Sequence, residues 1–509
     1  MEKLKNYLIN QDILSIKKSL KIKIFDYFHS MLDGKTSTSF FTLYFLHFIE
    51  IFQLISFAFS TPFTKVWKLS EKINTNLRNV LEGFRLAPLL INVPILTATI
   101  ISIIFIVFII VYFVLLMIQI TFRKENSHFF ERLMIFTQFT MPIITILLFI
   151  PLNELFLSTF NCRNNHINYR TDEVKCWKGP HIIMLLVSFI GIFLNFCVVA
   201  LLTFFYFYPF VTQKATIKLT SSFDMVFLLI KFIFVIQKLF IKNEYISIAI
   251  LLILSIFLVY YQDKEPIYNN KKLELFLVLR NILLVWTFFS LLMAKICYNT
   301  NVKTMVYLLI SGYPIIIFTS IMYLNEKNNK FNFSHSSINN VNICLTQIRL
   351  LMKLIDSFFN EKKSNLNGNN DDETYMQNDL LLKGIIKMHT LTCLKQDCPL
   401  IKFINNKGNY MIQKQCLLNY MAIFFKNSIK KFPNSILLRM QFVQFNYDKK
   451  YNLNNIKTTL EEIKKMKFDL SSEFILFCQE KELSKIRRDV NDGNDEEKEK
   501  LILDQNYKK

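Results

Sequence analysis

Glycine is scarce in this chain, nine residues in 509, and none of the nine builds a Gly-rich phosphate loop. There is no G-x-S-x-G elbow, no paired His-rich motif and no cluster of carboxylates at helix ends. Those are the constellations that present phosphates, nucleophiles or catalytic metals, so we expect no enzyme. Charge is sparse as well: Asp, Glu, Lys and Arg make up 19% of the chain, against about a quarter in soluble domains. Acidic residues are the scarcer sign, 39 against 60 basic ones, which leaves a formal charge of +21. Lysine that flanks membrane spans and coats an inner membrane face accounts for such an excess, and no nucleic acid is expected as a partner. The first 36 residues lack an apolar core followed by a small-residue cleavage site, so no cleavable signal peptide is expected. Insertion would begin at the first span, acting as an uncleaved anchor.

Apolar runs are what the chain has in abundance. Hydrophobic residues are 52% of it, Phe alone 52 residues, and the mean hydropathy is +0.30. The longest run, Ile95 to Ile120, carries no charge at all. A helix of that length crosses a hydrocarbon layer of about 30 Å, and with no water there to satisfy backbone groups the run must be helical. Similar runs predict eight spans, at about 38–60, 92–120, 133–151, 181–209, 223–241, 245–261, 275–294 and 303–324. The fold class expected is therefore all-α: a polytopic membrane protein followed by a cytosolic TPR-like helical-hairpin module. In outline, residues 1–36 form a basic cytosolic lead-in expected to lie on the membrane surface, and 37–325 form the membrane domain. Residues 326–379 form a linker, 380–490 the helical module and 491–509 a charged tail. Between the first two spans, residues 67–90 are helical by pattern and read as interfacial, with Trp67 as a boundary anchor.

Eight spans put both termini on one side. With that side inside, the inner connections and the N-terminal segment hold fifteen Lys and Arg and the outer connections twelve, and the basic tail adds to the inner count. We therefore expect N-in and C-in. Cys162 and Cys176 then fall in the main polar outer loop, fourteen residues apart. In an oxidising compartment they would pair, closing a loop for roughly 3 kcal/mol of stabilisation; two free thiols are the alternative.

Polar residues inside the spans are few. His47, Glu50 and Gln53 recur every third residue and form one stripe on the first span. Lys231 lies mid-span in the fifth. An unpaired lysine there costs about 2.5–3.5 kcal/mol, so it needs a partner, and Glu50 stands at a comparable depth. Two readings remain: an interhelical salt bridge that fixes packing, or part of an ion path.

After residue 325 the pattern changes. Residues 325–340 are polar, and Asn332-Phe333-Ser334 fits a glycosylation acceptor that would be void in the cytosol. Residues 341–363 show helical spacing, residues 363–379 are low in hydrophobics and expected to be disordered, and Leu380 onward is helical again. His389, Cys393 and Cys398 stand in an H-x3-C-x4-C spacing. With Cys416 as a fourth ligand they would make a closed structural zinc site; a partly buried histidine and inert thiols are the alternative. Four helices of 12–20 residues follow, with apolar residues at three and four spacing, as in stacked helical hairpins.

One set of residues carries a likeness: His389, Cys393, Cys398-Pro399, Phe432-Pro433-Asn434-Ser435, Phe442, Phe445 and Tyr451-Asn452. It resembles the TmcB/TmcC-type TPR-repeat region of large multi-pass, TMC-like membrane proteins of ciliates and slime moulds. Leu400 stands where that pattern has a further cysteine. The resemblance implies an integral membrane protein with a sensory or signalling role and no catalytic residue. The expectation overall is a non-enzymatic protein of the lipid bilayer, a sensory or scaffold component whose cytosolic module binds a protein partner. The alternative is an ion channel or transporter using Glu50 and Lys231.

Overall fold

The computed structural model describes residues 21–30, 40–60, 63, 66–67, 71–85, 95–122, 128–163, 166–167, 176–205, 221–264, 271–297 and 302–329. Beyond these it describes 341, 344–345, 347–348, 351–352, 355, 398–405, 410–446, 453–466, 470 and 472–481. The chain divides into a membrane unit, Met1–Tyr208 with Thr212–Lys327, and a helical unit, Asn328–Lys509 with the short Pro209–Val211 stretch.

In the membrane unit, α1 (21–30) and α2 (Phe40–Ile55) come first, and a 3-10 turn over Ser56–Phe59 extends α2. Then follow α3 (Glu71–Arg85), α4 (Ile95–Phe122) and α5 (His128–Pro142), a π-turn over Ile143–Leu148, and α6 (Phe149–Ser158). A two-residue antiparallel pair, β1 (Cys162–Arg163) and β2 (His166–Ile167), pairs Cys162 with Ile167. Helices α7 (Pro180–Phe205), α8 (Ser222–Phe240), α9 (Glu244–Lys264), α10 (Lys271–Ile296) and α11 (Val302–Asn329) complete the unit.

Among the described residues, six stretches are long and apolar enough to cross a membrane: Phe41–Phe59, Thr97–Thr121, Glu131–Ser158, His181–Phe205, Glu244–Gln262 and Leu273–Ile296. The other two expected spans are also helices. Of these, α8 carries Asp224, Lys231 and Lys238, and the apolar part of α11 is the shorter Leu309–Met322. The outer surfaces are consistent with a lipid surrounding. Helix α4 exposes Ile103, Ile104, Val107, Val111 and Val114, and α7 exposes Ile183, Leu186, Phe189 and Phe193. Meanwhile Glu50, Gln53, Glu154, Lys231, Arg280 and Asn281 are buried. Apolar outside and polar inside is the arrangement for a chain in lipid, where charge must turn to protein partners. This is a multi-pass integral membrane protein.

Three local features depart from the sequence reading. Trp67 is not a boundary anchor but fully buried: its indole Nε1 donates to the Ala58 carbonyl at 2.9 Å and its ring stacks on Phe59 at 5.2 Å. The 3-10 turn leaves that carbonyl available, and a buried indole needs such an acceptor. Part of the basic lead-in is packed rather than lying on the surface. Phe28 stacks on Phe205 at 4.9 Å, and the Tyr27 hydroxyl donates to Gln119 at 2.6 Å. The third span continues past Pro151 to Ser158 instead of stopping at 151. Proline is tolerated in the first turn of α6, where its missing N–H is not needed within that helix.

Close approach of α10 and α11 depends on Gly312. A Cβ there would stand 2.3 Å from Trp286, whose Nε1 donates to Leu309 O at 3.1 Å. We expect Gly312→Ala to displace the indole and cost about 1–3 kcal/mol. Thermal unfolding in detergent checks this, and an unchanged midpoint would show that the ring has room to move.

The helical unit has its own apolar core. Helices α12 (Pro399–Asn405), α13 (Tyr410–Lys431), α14 (Ile436–Phe445) and α15 (Leu453–Lys464) each pack on the next, and residues 472–481 are helical. The Phe432-Pro433-Asn434-Ser435 string has a local cause: α13 ends at Lys431, two residues before Pro433, and Ser435 Oγ accepts the Leu438 N–H at 3.3 Å as the N-cap of α14. Upstream, Cys344, Leu345, Ile348, Leu351, Met352 and Ile355 add a three- and four-spaced face to the same core. The unit therefore draws on residues before Leu380, inside the stretch read as linker.

Candidate functional site

The stripe on α2 faces inward and organises the membrane unit. Glu50 Oε1 accepts from Lys231 Nζ at 2.9 Å, and Glu50 Oε2 accepts from Arg280 Nη1 at 2.7 Å. His47 Nδ1 stands 2.9 Å from the same Oε2. One carboxylate thus joins α2, α8 and α10, and all three charged side chains are 1–4% exposed. Phe227 receives both cations on its ring, Lys231 Nζ at 4.9 Å and Arg280 Cζ at 4.0 Å from the centroid. Such cation–π contacts replace part of the hydration each cation gave up. Arg280 Nε donates to Asn281 Oδ1, and Asn281 Nδ2 in turn donates to Gln262 Oε1 on α9.

The third span supplies backbone to this site. An α-helix would bond the carbonyl of Leu147 to the N–H of residue 151, but residue 151 is proline and has none. Gln53 Nε2 fills the gap, donating to Leu147 O and to Phe84 O at the end of α3, both at 3.0 Å. Thr145 O, inside the π-turn, accepts from Lys231 Nζ at 3.2 Å. π-turns tend to mark functional positions, and here the turn directs two side chains from other helices onto backbone oxygen.

A second network lies two turns along α8. Lys238 pairs with Glu154 of α6, and Arg85 Nε stands 3.5 Å from Glu154 Oε2. Arg85 Nη2 donates to Glu82 Oε1 at 3.3 Å, and its guanidinium lies over Phe57 at 5.1 Å. Asp224, Lys231 and Lys238 are spaced by seven residues, which puts them on one face of α8.

The structure therefore brings His47, Glu50 and Lys231 together and sets Gln53 one turn away. Sequence reasoning missed Arg280, Arg85, Glu154 and Lys238. Arg280 and Lys238 were detectable as ionisable residues within expected spans. Arg85 and Glu154 fell just outside the apolar windows, which undercount a helix where inward-facing charge begins.

Cys162 and Cys176 form a disulfide with a Cα separation of 6.2 Å. His181 holds its base: Nδ1 accepts the Trp177 N–H at 2.9 Å and Nε2 donates to Thr159 O at 3.0 Å. The sulfur and imidazole groups of Cys162, Cys176 and His181 all lie within 4.8 Å of one another, but with the sulfurs bonded and both ring nitrogens engaged the cluster is a structural clip. We expect reduction to lower stability by about 3 kcal/mol, read as a drop in thermal midpoint that Cys162→Ser/Cys176→Ser reproduces without reductant.

Of the residues proposed to bind zinc, His389 and Cys393 lie outside the described residues. Cys398 and Cys416 are buried in the apolar core of the helical unit, and burial pushes the Cys416 thiol above its ordinary range. The Asn332-Phe333-Ser334 acceptor, Tyr451-Asn452, residues 1–20 and the charged end after 481 are likewise outside the described residues. Compared with protein-family models, curated proteins and solved structures, the chain matches none.

Proposed function

We propose that this is a non-enzymatic membrane protein, a sensory or signalling scaffold, with its helical unit in the cytosol as a docking module for a protein partner. The observation that carries this reading is that the helical unit has a core of its own, built from consecutive helices, apart from the membrane unit's packing. Stacked helices of this kind leave long surfaces for partner chains, as TPR-like modules do. The resemblance to TMC-like membrane proteins agrees with a sensory role. In the alternative reading, Glu50 and Lys231 serve a channel or transporter. The matched, buried state of that cluster favours a packing role in the conformation described.

Orientation and docking are tested on the full chain. In sealed right-side-out vesicles, a cysteine at exposed Lys242 should react with an impermeant maleimide, and one at exposed Lys426 only after permeabilisation. Labelling of both from one side would overturn the N-in, C-in arrangement. A photocrosslinking residue at Ile423, an exposed apolar position on α13, should yield one discrete heterologous adduct in cells that is lost with Lys426→Glu. Only self-adducts, or none, would sink the docking role.

A further inference from the structure

Lys231 is held by protein groups that also take up alkali cations. Its ammonium has a carboxylate oxygen of Glu50 at 2.9 Å and the Thr145 carbonyl at 3.2 Å. Phe227 and Phe149 present ring faces at 4.9 and 5.4 Å. A salt bridge needs only the carboxylate. Here a widened helical turn adds backbone oxygen, the means by which broken membrane helices ligate monovalent cations. One turn along α2 from Glu50, Gln53 Oε1 is buried with no hydrogen-bond partner among the described residues. That orphan acceptor, beside the same break in the third span, is a further oxygen that a cation would use.

We propose that Glu50, the Thr145 carbonyl and Gln53 form an intramembrane site for a monovalent alkali cation, which the Lys231 ammonium fills as a tethered occupant. Charge supports the exchange. Sodium or potassium in place of the ammonium leaves the cluster's net charge unchanged, so repulsion from Arg280 and attraction from Asp224 and Glu50 act alike on either occupant. The two exclude each other. If the lysine stays in place, an entering cation must displace its proton, one H⁺ out for one metal ion in. If it swings away, no proton moves. The inference goes beyond the docking role and does not rest on it.

The test removes the tethered cation and offers a free one. Lys231→Met keeps the aliphatic stem and lacks the ammonium. Wild type and variant, both full length in detergent, are melted in sodium, potassium and choline chloride at equal ionic strength. Wild type should melt alike in all three. Lys231→Met should gain on the order of 5 °C in about 300 mM sodium or potassium over choline, saturably, and Glu50→Gln/Lys231→Met should lose that gain. Identical melting of Lys231→Met in all three salts overturns the site, as does a cation gain that survives in the double variant. Failure of Lys231→Met to fold in every salt also overturns it, because sodium then does not replace the ammonium.

Discussion

Glu50→Gln is expected to destabilise the purified protein by about 3–5 kcal/mol, the cost of leaving buried charge without its partner. The substitution is nearly isosteric, so almost none of that cost comes from packing. What it removes is the one anion between Lys231 and Arg280, at 2.9 and 2.7 Å. Both cations would then face each other across Phe227 with little water to screen them. The predicted readout is a large drop in thermal or denaturant midpoint in detergent. A loss under about 1 kcal/mol would mean that the cations reach water and that the network is not closed. A double-mutant cycle separates the pair from its surroundings. Lys231→Met added to Glu50→Gln should recover part of the loss, because the second change removes an uncompensated charge. Replacing Glu50, Lys231 and Arg280 together with apolar residues of similar volume should cost less than Glu50→Gln alone. Buried ion clusters are expensive to break and cheap to replace.

That asymmetry bears on why such a cluster exists. Between helices in lipid there is no hydrophobic drive to choose partners, because lipid tails are as apolar as leucine. Directional polar contacts then select which helix faces which. Glu50 specifies α8 and α10 as neighbours of α2, Gln53 specifies the α3 end and the π-turn, and Gln119 specifies Thr137 of α5 at 3.1 Å. The outward faces, rows of Ile, Val, Leu and Phe, carry no such information.

The same division decides what could be read in advance. Lipid-facing runs are long and uniform, so membrane class and the approximate place of each helix were plain from composition. The Glu50–Lys231 pairing was legible because each is a lone charge at mid-span. Arg280 is a similar signal, but it follows Leu277, Val278 and Leu279 in a helix that opens with Lys271, Lys272 and Glu274, and an Arg there looks like part of a boundary. Trp67 was misread because an indole near a span end has two outcomes, a headgroup anchor or a buried donor. Only the 3-10 turn that frees Ala58 O decides between them. The π-turn between Pro142 and Pro151 had no sequence signature beyond the prolines, since its geometry depends on the side chains that donate to the freed carbonyls. In the helical unit, periodicity at 344–355 was visible, but whether that face met lipid or protein was not, because both are apolar.

Glu154→Gln is expected to cost a further 3–5 kcal/mol, for the same reason at a second place. Glu154 is fully buried, and its carboxylate is shared by Lys238 and Arg85. Arg85 would keep Glu82 at 3.3 Å, a residue with some access to solvent, so the larger share of the penalty falls on Lys238. Lys238→Met should therefore restore more of the lost stability in the Glu154→Gln background than Arg85→Met does; equal rescue by both would show that the two cations share the carboxylate evenly. The two networks also test each other. Lys231 and Lys238 are seven residues apart on α8, about 10 Å along the axis, and hold no common acid. Glu50→Gln and Glu154→Gln should then add to within about 0.5 kcal/mol, as separated sites do. Gln53 is the exception built into the fold: it bonds the carbonyl before Arg85 and the carbonyl freed by Pro151. With Gln53→Leu in the background, the α3 end and the π-turn lose their common tie. Additivity that persists there would show that α8 alone keeps the networks independent, whereas a coupling that appears only there would place the insulation at Gln53.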